Sequence, residues 1–227
     1  MEVFLDFETN KKFEFYMVGC AVGNGVVRQA VLDSDLAGLG GRFNLPVLQP
    51  ADVATSVLSF AKKHKAVVVA YSEAEKNIFS TLNERDACLE EFSEIPYLNL
   101  AKAAKLWIRK YHKHSFKALG PYLPTRRVKG PWRRQLDNSL PSRMRLLNYP
   151  APMTHAIGKT TARFNAVKAG LVRHGQAFER LTQTQKAKAA NVTKHNLWDV
   201  QALPILLDAI AEADISIIEK ATSKCLH

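Results

Sequence analysis

Two carboxylates, Asp6 and Glu8, stand on an otherwise apolar segment, Glu2-Val3-Phe4-Leu5-Asp6-Phe7 and onward. In an extended chain alternate side chains leave opposite faces, so acids two residues apart project from the same face. Paired carboxylates on a stiff strand are hard oxygen ligands of the kind that Mg²⁺ or Mn²⁺ prefers. A solvent-exposed strand would spread its charges rather than bracket Phe7 with two acids. Far along the chain, His195 and Asp199 are four residues apart, one turn along the same side of a helix. The apolar stripe of that segment, Leu197, Val200, Leu203, Leu207 and Ile210, falls on other positions and leaves the pair able to face a site. An imidazole, with an unperturbed pKa of ~6.5, is suited to accept a proton near neutral pH. Taken alone, the pair also reads as a helix-start histidine bonded to a surface aspartate. A third group, Ser72-Glu73-Ala74-Glu75, has two readings. Locally it is a helix capping box, with Glu75 reaching back to the Ser72 amide. It also follows a buried parallel strand, and ligands gather at the carboxyl ends of such strands.

These residues need a frame, and the chain supplies signals for one. Residues 2–7 read as a first strand and 13–22 as a second, with the Gly23-Asn24-Gly25 turn leading into a third over 26–32. A Gly- and Pro-containing loop precedes a helix over about 52–63. Residues 66–71 form a β-branched run, the pattern of a buried parallel strand, and a helix starts at Ser72. A fifth strand spans 95–100 and leads into a helical segment over 101–110. From 121 to about 159 the chain is Pro- and Arg-rich and loop-like. Helical periodicity returns over 160–173, 177–190 and 193–220, with a kink expected at Pro204. The reading is one α/β domain over residues 1–227, with a basic insertion at about 121–160. Its mixed five-stranded sheet combines a three-strand antiparallel meander with parallel strands and is flanked by helices.

The order of the motifs resembles a known family. Asp-x-Glu on the first strand, an acid after a later parallel strand and His-x-x-x-Asp on the last helix are similar to the DEDD superfamily of 3′–5′ exonucleases, which share the ribonuclease H-like fold. Within it, Tyr71-Ser72-Glu73-Ala74-Glu75 and His195-Asn196-Leu197-Trp198-Asp199-Val200-Gln201-Ala202 most resemble the YprB-like branch, whose motifs read Tyr-Ser-x-x-Glu and Tyr-Asn-x-x-Asp-Val-x-Ala. Ser115-Phe116-Lys117-Ala118-Leu119 is similar to a Ser-Leu-Lys-x-Leu segment in these proteins. The resemblance spans residues 3–208. It implies a phosphodiester-cleaving nuclease with two divalent ions, Mg²⁺ or Mn²⁺. In that scheme Asp6 bridges the ions, Glu8 and Asp199 complete one site, and Glu75 serves the second. His195 stands where the branch has Tyr and is the implied general base; neighbouring Lys194 is protonated at neutral pH and less suited. Related readings are an endonuclease of the same fold acting on branched DNA or RNA–DNA hybrids, and a binding module without activity.

Charge distribution points to the same kind of partner. Of 32 Lys and Arg, seventeen lie within residues 102–175, against a single acid there, Asp137; the remainder of the chain is net acidic. Such a block is an electrostatic footprint for phosphate, although a solvated basic loop has the same composition. Arg126, Arg127, Lys129, Arg133 and Arg134 are expected phosphate contacts, with Ser115 and Lys117 beside them. Trp132, in a basic loop-like setting, is the tryptophan placed to stack a base. Trp107 and Trp198 fit a core, and His112 and His114 a solvated basic face. The expected partner is a DNA or RNA strand entering by a single-stranded 3′ end. Cys20, Cys88 and Cys225 are scattered, which disfavours a disulfide framework or a thiolate zinc site. With no signal-peptide pattern and no apolar run of membrane-spanning length, a cytoplasmic protein that does not enter membranes is expected.

Overall fold

The computed structural model describes residues 1–10, 12–86, 89, 92–119, 139–152 and 159–225. The architecture is α/β, with a mixed open sheet of six strands in the order β3-β2-β1-β4-β5-β6, flanked by helices. Strands β1 (Glu2–Thr9), β2 (Phe15–Val22) and β3 (Arg28–Val31) form the antiparallel meander, and β4 (Val67–Ala70) and β5 (Pro96–Asn99) extend it in parallel from β1. The sixth strand, β6 (Thr222–Lys224), corrects the expected count of five. It carries three polar residues and no apolar alternation. Its extended form comes from antiparallel pairing with β5, Leu98 opposite Thr222 and Pro96 opposite Lys224.

Both faces of the sheet are covered. Val3, Leu5 and Phe7 of β1 pack against helix α2 (Pro50–His64), through Val53, Val57 and Leu58, and against α3 (Ala74–Asp86), through Ile78 and Phe79. The opposite face carries Phe4, Asp6 and Glu8. Its apolar part meets α4 (Leu100–Trp107) and α8 (Gln183–Ala221) through Ala103, Trp107, Leu203, Leu206 and Ile210. A third cluster seats Phe164, Val167 and Leu171 of α7 (Thr160–Arg173) on Tyr16, Met17 and Val31. Each buried Val, Leu or Phe contributes about 1.5–3 kcal/mol.

The short elements are α1 (Ala37–Phe43), α5 (Lys113–Leu119), which continues α4 through one π turn at Ile108–His112, and α6 (Leu140–Met144). Two helical readings need correction. No break falls between 190 and 193: α8 is started by a capping box in which Thr182 and Gln185 bond reciprocally and runs on to a kink at Asp214, where a second helical stretch follows. Pro204 lies inside α8, yet the non-helical dihedrals fall at Asp214 (φ −171°, ψ 100°). There the carboxylate accepts the Ser216 amide and hydroxyl, restarting the helix. No helix among the described residues is long and apolar enough to cross a membrane.

Candidate metal centre

β1 positions the first two acids. Asp6 pairs with Gly19 of β2 and Glu8 with Met17, so both carboxylates rise from the face that α8 covers. That approach requires Gly19. A Cβ there would lie 2.6 Å from Asn196 Oδ1 and 2.7 Å from Val200 Cγ2, closer than van der Waals contact allows. The missing side chain lets α8 settle directly on the sheet, which brings His195 and Asp199 over β1.

The resulting contacts are short. His195 Nε2 lies 3.1 Å from Asp199 Oδ2 and 3.5 Å from Glu8 Oε1. The Thr160 hydroxyl, in the first turn of α7, is 3.3 Å from the same nitrogen. The ligand atoms of Glu8, His195 and Asp199 all fall within 4.8 Å of one another, so this trio could hold a metal ion. His195 is buried, with only 9% of its surface exposed, on the inner side of α8; Lys194 beside it faces solvent.

Glu75 joins the same cluster from α3. Ser72 Oγ accepts the Ala74 amide at 3.0 Å and donates to Glu75 Oε2 at 3.2 Å, so the cap is formed. The carboxylate is nevertheless buried, and the backbone of Phe7, the residue between Asp6 and Glu8, is among the groups that favour its charged form. Cap and cluster member are thus one arrangement. Its neighbour Glu73 is turned away, accepting from Asn99 Nδ2 at 2.8 Å.

Four acids from three elements consequently converge, Glu75 buried and Asp6, Glu8 and Asp199 half-buried, and the ionisation of Asp6, Glu8 and Glu75 shows the strain. Burial, then the charges of Glu8, Asp199 and Glu75, raise the Asp6 carboxyl well above its ordinary value, against a hydrogen bond from Asn196. Burial, with Asp199 and Glu75, does the same to Glu8. Burial pushes Glu75 up to about 7, opposed by its hydrogen bonds. Such repulsion is the signature expected of a site completed by a cation, which reverses the local electrostatics. The donor set is oxygen-rich with one imidazole nitrogen, a combination that suits hard or borderline divalent ions and not soft ones.

No family model, curated protein or solved structure matches this chain.

The other expected contacts divide in two. Ser115 and Lys117 lie exposed on α5 and take no part in the bonds of the acid cluster. Arg126, Arg127, Lys129, Trp132, Arg133 and Arg134 lie outside the described residues. Not every cation in the basic block faces solvent: Arg143 is buried with its guanidinium over the Phe116 ring, and Lys168 pairs with Asp33 and Asp35 at 2.7 and 3.0 Å. Trp107 and Trp198 are buried as expected, the former against His112 and the latter stacked on Tyr149.

Sequence reasoning passes over Gly19, Gln29 and Thr160, and gives Asn196 a place in the last motif but no role. The visible signal for Asn196 is that match, a polar residue between the two members of the His195–Asp199 pair. Its importance shows in its complete burial and its bonds to Asp6.

Proposed function

We propose that the protein is a divalent-metal-dependent nuclease that hydrolyses phosphodiester bonds, acting as a 3′–5′ exonuclease of DEDD type on the ribonuclease H-like fold. The observation that carries this reading is the convergence of Asp6, Glu8, Glu75 and Asp199 around His195, in surroundings that raise the first three carboxyls above their ordinary values. An antiparallel meander extended by parallel strands from β1 supports the fold assignment, as does the placement of the last helix over Asp6 and Glu8.

In this reading Asp6, Glu8, Glu75 and Asp199 hold two ions, Mg²⁺ or Mn²⁺. When bound, such ions stabilise the charge that develops on phosphate and leaving oxygens and make water a better nucleophile. The chain contributes position and proton transfer. His195 Nε2 is the group that can take a proton at neutral pH, and the Asp199 and Glu8 carboxylates at its edge stabilise the imidazolium once formed. The Thr160 hydroxyl meets the same nitrogen and helps to fix the ring. Apolar packing beside the acids, from Phe4 to Trp198, lowers the local polarity and strengthens their charges. The basic block would carry the nucleic-acid backbone.

The test is incubation of the full chain with end-labelled single- and double-stranded DNA and RNA, with Mg²⁺, Mn²⁺ or a chelator. A metal-dependent ladder shortening from the 3′ end is expected. Internal cuts would assign an endonuclease, and no cleavage of any substrate with either ion would overturn the nuclease reading.

A further inference from the structure

Behind the acid cluster lies a second layer of polar groups that the proposed chemistry does not use. Gln29, on β3, donates from Nε2 to Asn196 Oδ1 at 2.8 Å and to the backbone carbonyl of Thr193 at 3.0 Å. Asn196 donates from Nδ2 to Asp6 Oδ2 at 2.7 Å and to the backbone carbonyl of Asp6 at 3.1 Å. Gln29 is half-buried and Asn196 has no exposed surface.

The chemistry of these groups fixes the direction of every bond. A backbone carbonyl can only accept, so the Gln29 atom facing Thr193 must be its amide nitrogen. The same nitrogen faces Asn196, which must therefore present its oxygen. The nitrogen of Asn196 is left for Asp6, where the Asp6 carbonyl again accepts only. With a carbonyl at each end, reversing either amide would set two oxygens or two N–H groups against each other in a buried place, at a cost of ~1–3 kcal/mol per unsatisfied group.

We infer that Gln29 and Asn196 form a polarity relay that holds the Asp6 carboxylate as a hydrogen-bond acceptor in one orientation, and that Asn196 is a positioning residue for the metal centre with Gln29 acting through it. The inference deepens the proposed function and rests on that reading where it speaks of metal. One oxygen of Asp6 accepts from Asn196, which fixes the plane in which the carboxylate would offer its remaining lone pairs to a cation. Outer-layer hydrogen bonds of this kind orient ligands, and removing them weakens metal affinity by roughly 10–100-fold. Gly19 belongs to the device, since a Cβ there would occupy the place of Asn196 Oδ1.

Substitution of Asn196 risks unfolding the helix–sheet contact, so the decisive variant is Gln29→Met on the half-buried strand β3, which keeps length and removes both donors. Two measurements on the full chain apply. Mn²⁺ titration should show affinity falling roughly tenfold in Gln29→Met, and at least as far in Gln29→Glu, which presents oxygens where the relay needs a donor. In the metal-free protein, the Asn196 side-chain amide protons should be slow to exchange in nuclear magnetic resonance spectra, and that protection should disappear in Gln29→Met. Equal Asn196 protection in wild type and Gln29→Met overturns the relay, and so does wild-type Mn²⁺ affinity in both variants. If the wild-type chain takes up no Mn²⁺, the metal reading of the site fails, and the amide protons alone decide the relay.

Discussion

Asp6 is opposed by burial and by three neighbouring acids, and is helped by one amide. Asp6→Asn conserves volume and removes the charge, so cleavage should vanish while the melting temperature is kept or raised. Wild-type turnover by the purified variant, in Mg²⁺ or Mn²⁺, would show the site to be wrongly drawn. Glu75→Gln separates two roles that the structure combines. Gln still serves a capping box, so the fold should tolerate the change, whereas a charge needed for an ion should be missed as a large drop in metal-dependent rate. Full activity in Glu75→Gln would leave a site of three carboxylates. The acids also set a pH dependence. Their native pKa values are raised, to about 7 for Glu75, so the folded state binds more protons than the unfolded one, whose Glu titrates near ~4.3. Metal-free stability is therefore highest in acid and falls as pH rises through that window, by at most ~1.4 kcal/mol per pH unit for each such group. A melting temperature that drops between about pH 5 and about pH 8 and is restored by Mn²⁺ is expected; one that rises without metal would contradict the buried cluster.

Between elements, the packing that matters is α8 on β2 at Gly19. Gly19→Ala must displace Asn196 or Val200, and overpacking of this kind costs typically ~1–3 kcal/mol. The variant should both melt lower and bind Mn²⁺ more weakly, whereas an equally destabilising core change such as Leu58→Val should lower melting alone. At this scale the limits of the sequence become physical. Strands β1 to β5 are legible because alternation, β-branched runs and a Gly-Asn-Gly turn are local signals. β6 is not, because Thr222, Ser223 and Lys224 take extended form only from the β5 backbone. The break read between 190 and 193 falls at Asn191-Val192-Thr193, three residues of low intrinsic helix propensity that packing nevertheless holds in α8. The acids and His195 are found by type and spacing. Gln29 and Gly19 escape because what makes them matter lies about 170 residues away in the chain, at Asn196.

For the molecule as a whole, the relevant quantity is the uneven charge. The basic block concentrates the net charge of +11 in one third of the chain, while the acid cluster would repel a polyanion until cations occupy it. Binding should therefore be strongly salt-dependent. Replacing Arg126, Arg127, Arg133 and Arg134 with Ala should flatten the slope of log affinity against log salt by roughly 0.7 for each single-strand phosphate left without its arginine. An unchanged slope would mean that these arginines serve something other than nucleic acid.

The chain path around the cluster has a practical corollary. Asp6, Glu8 and Glu75 come before residue 119, and His195 and Asp199 after residue 159. The later segment also returns β6 to the edge of the sheet built by the earlier one. A break placed between 119 and 139 would give two polypeptides that each hold part of the chemistry and neither all of it. Co-expressed, they have a long helix and an edge strand with which to find each other, so a split chain should regain Mn²⁺ binding only when both pieces are present, and Mn²⁺ uptake by either piece alone would contradict a centre assembled from both.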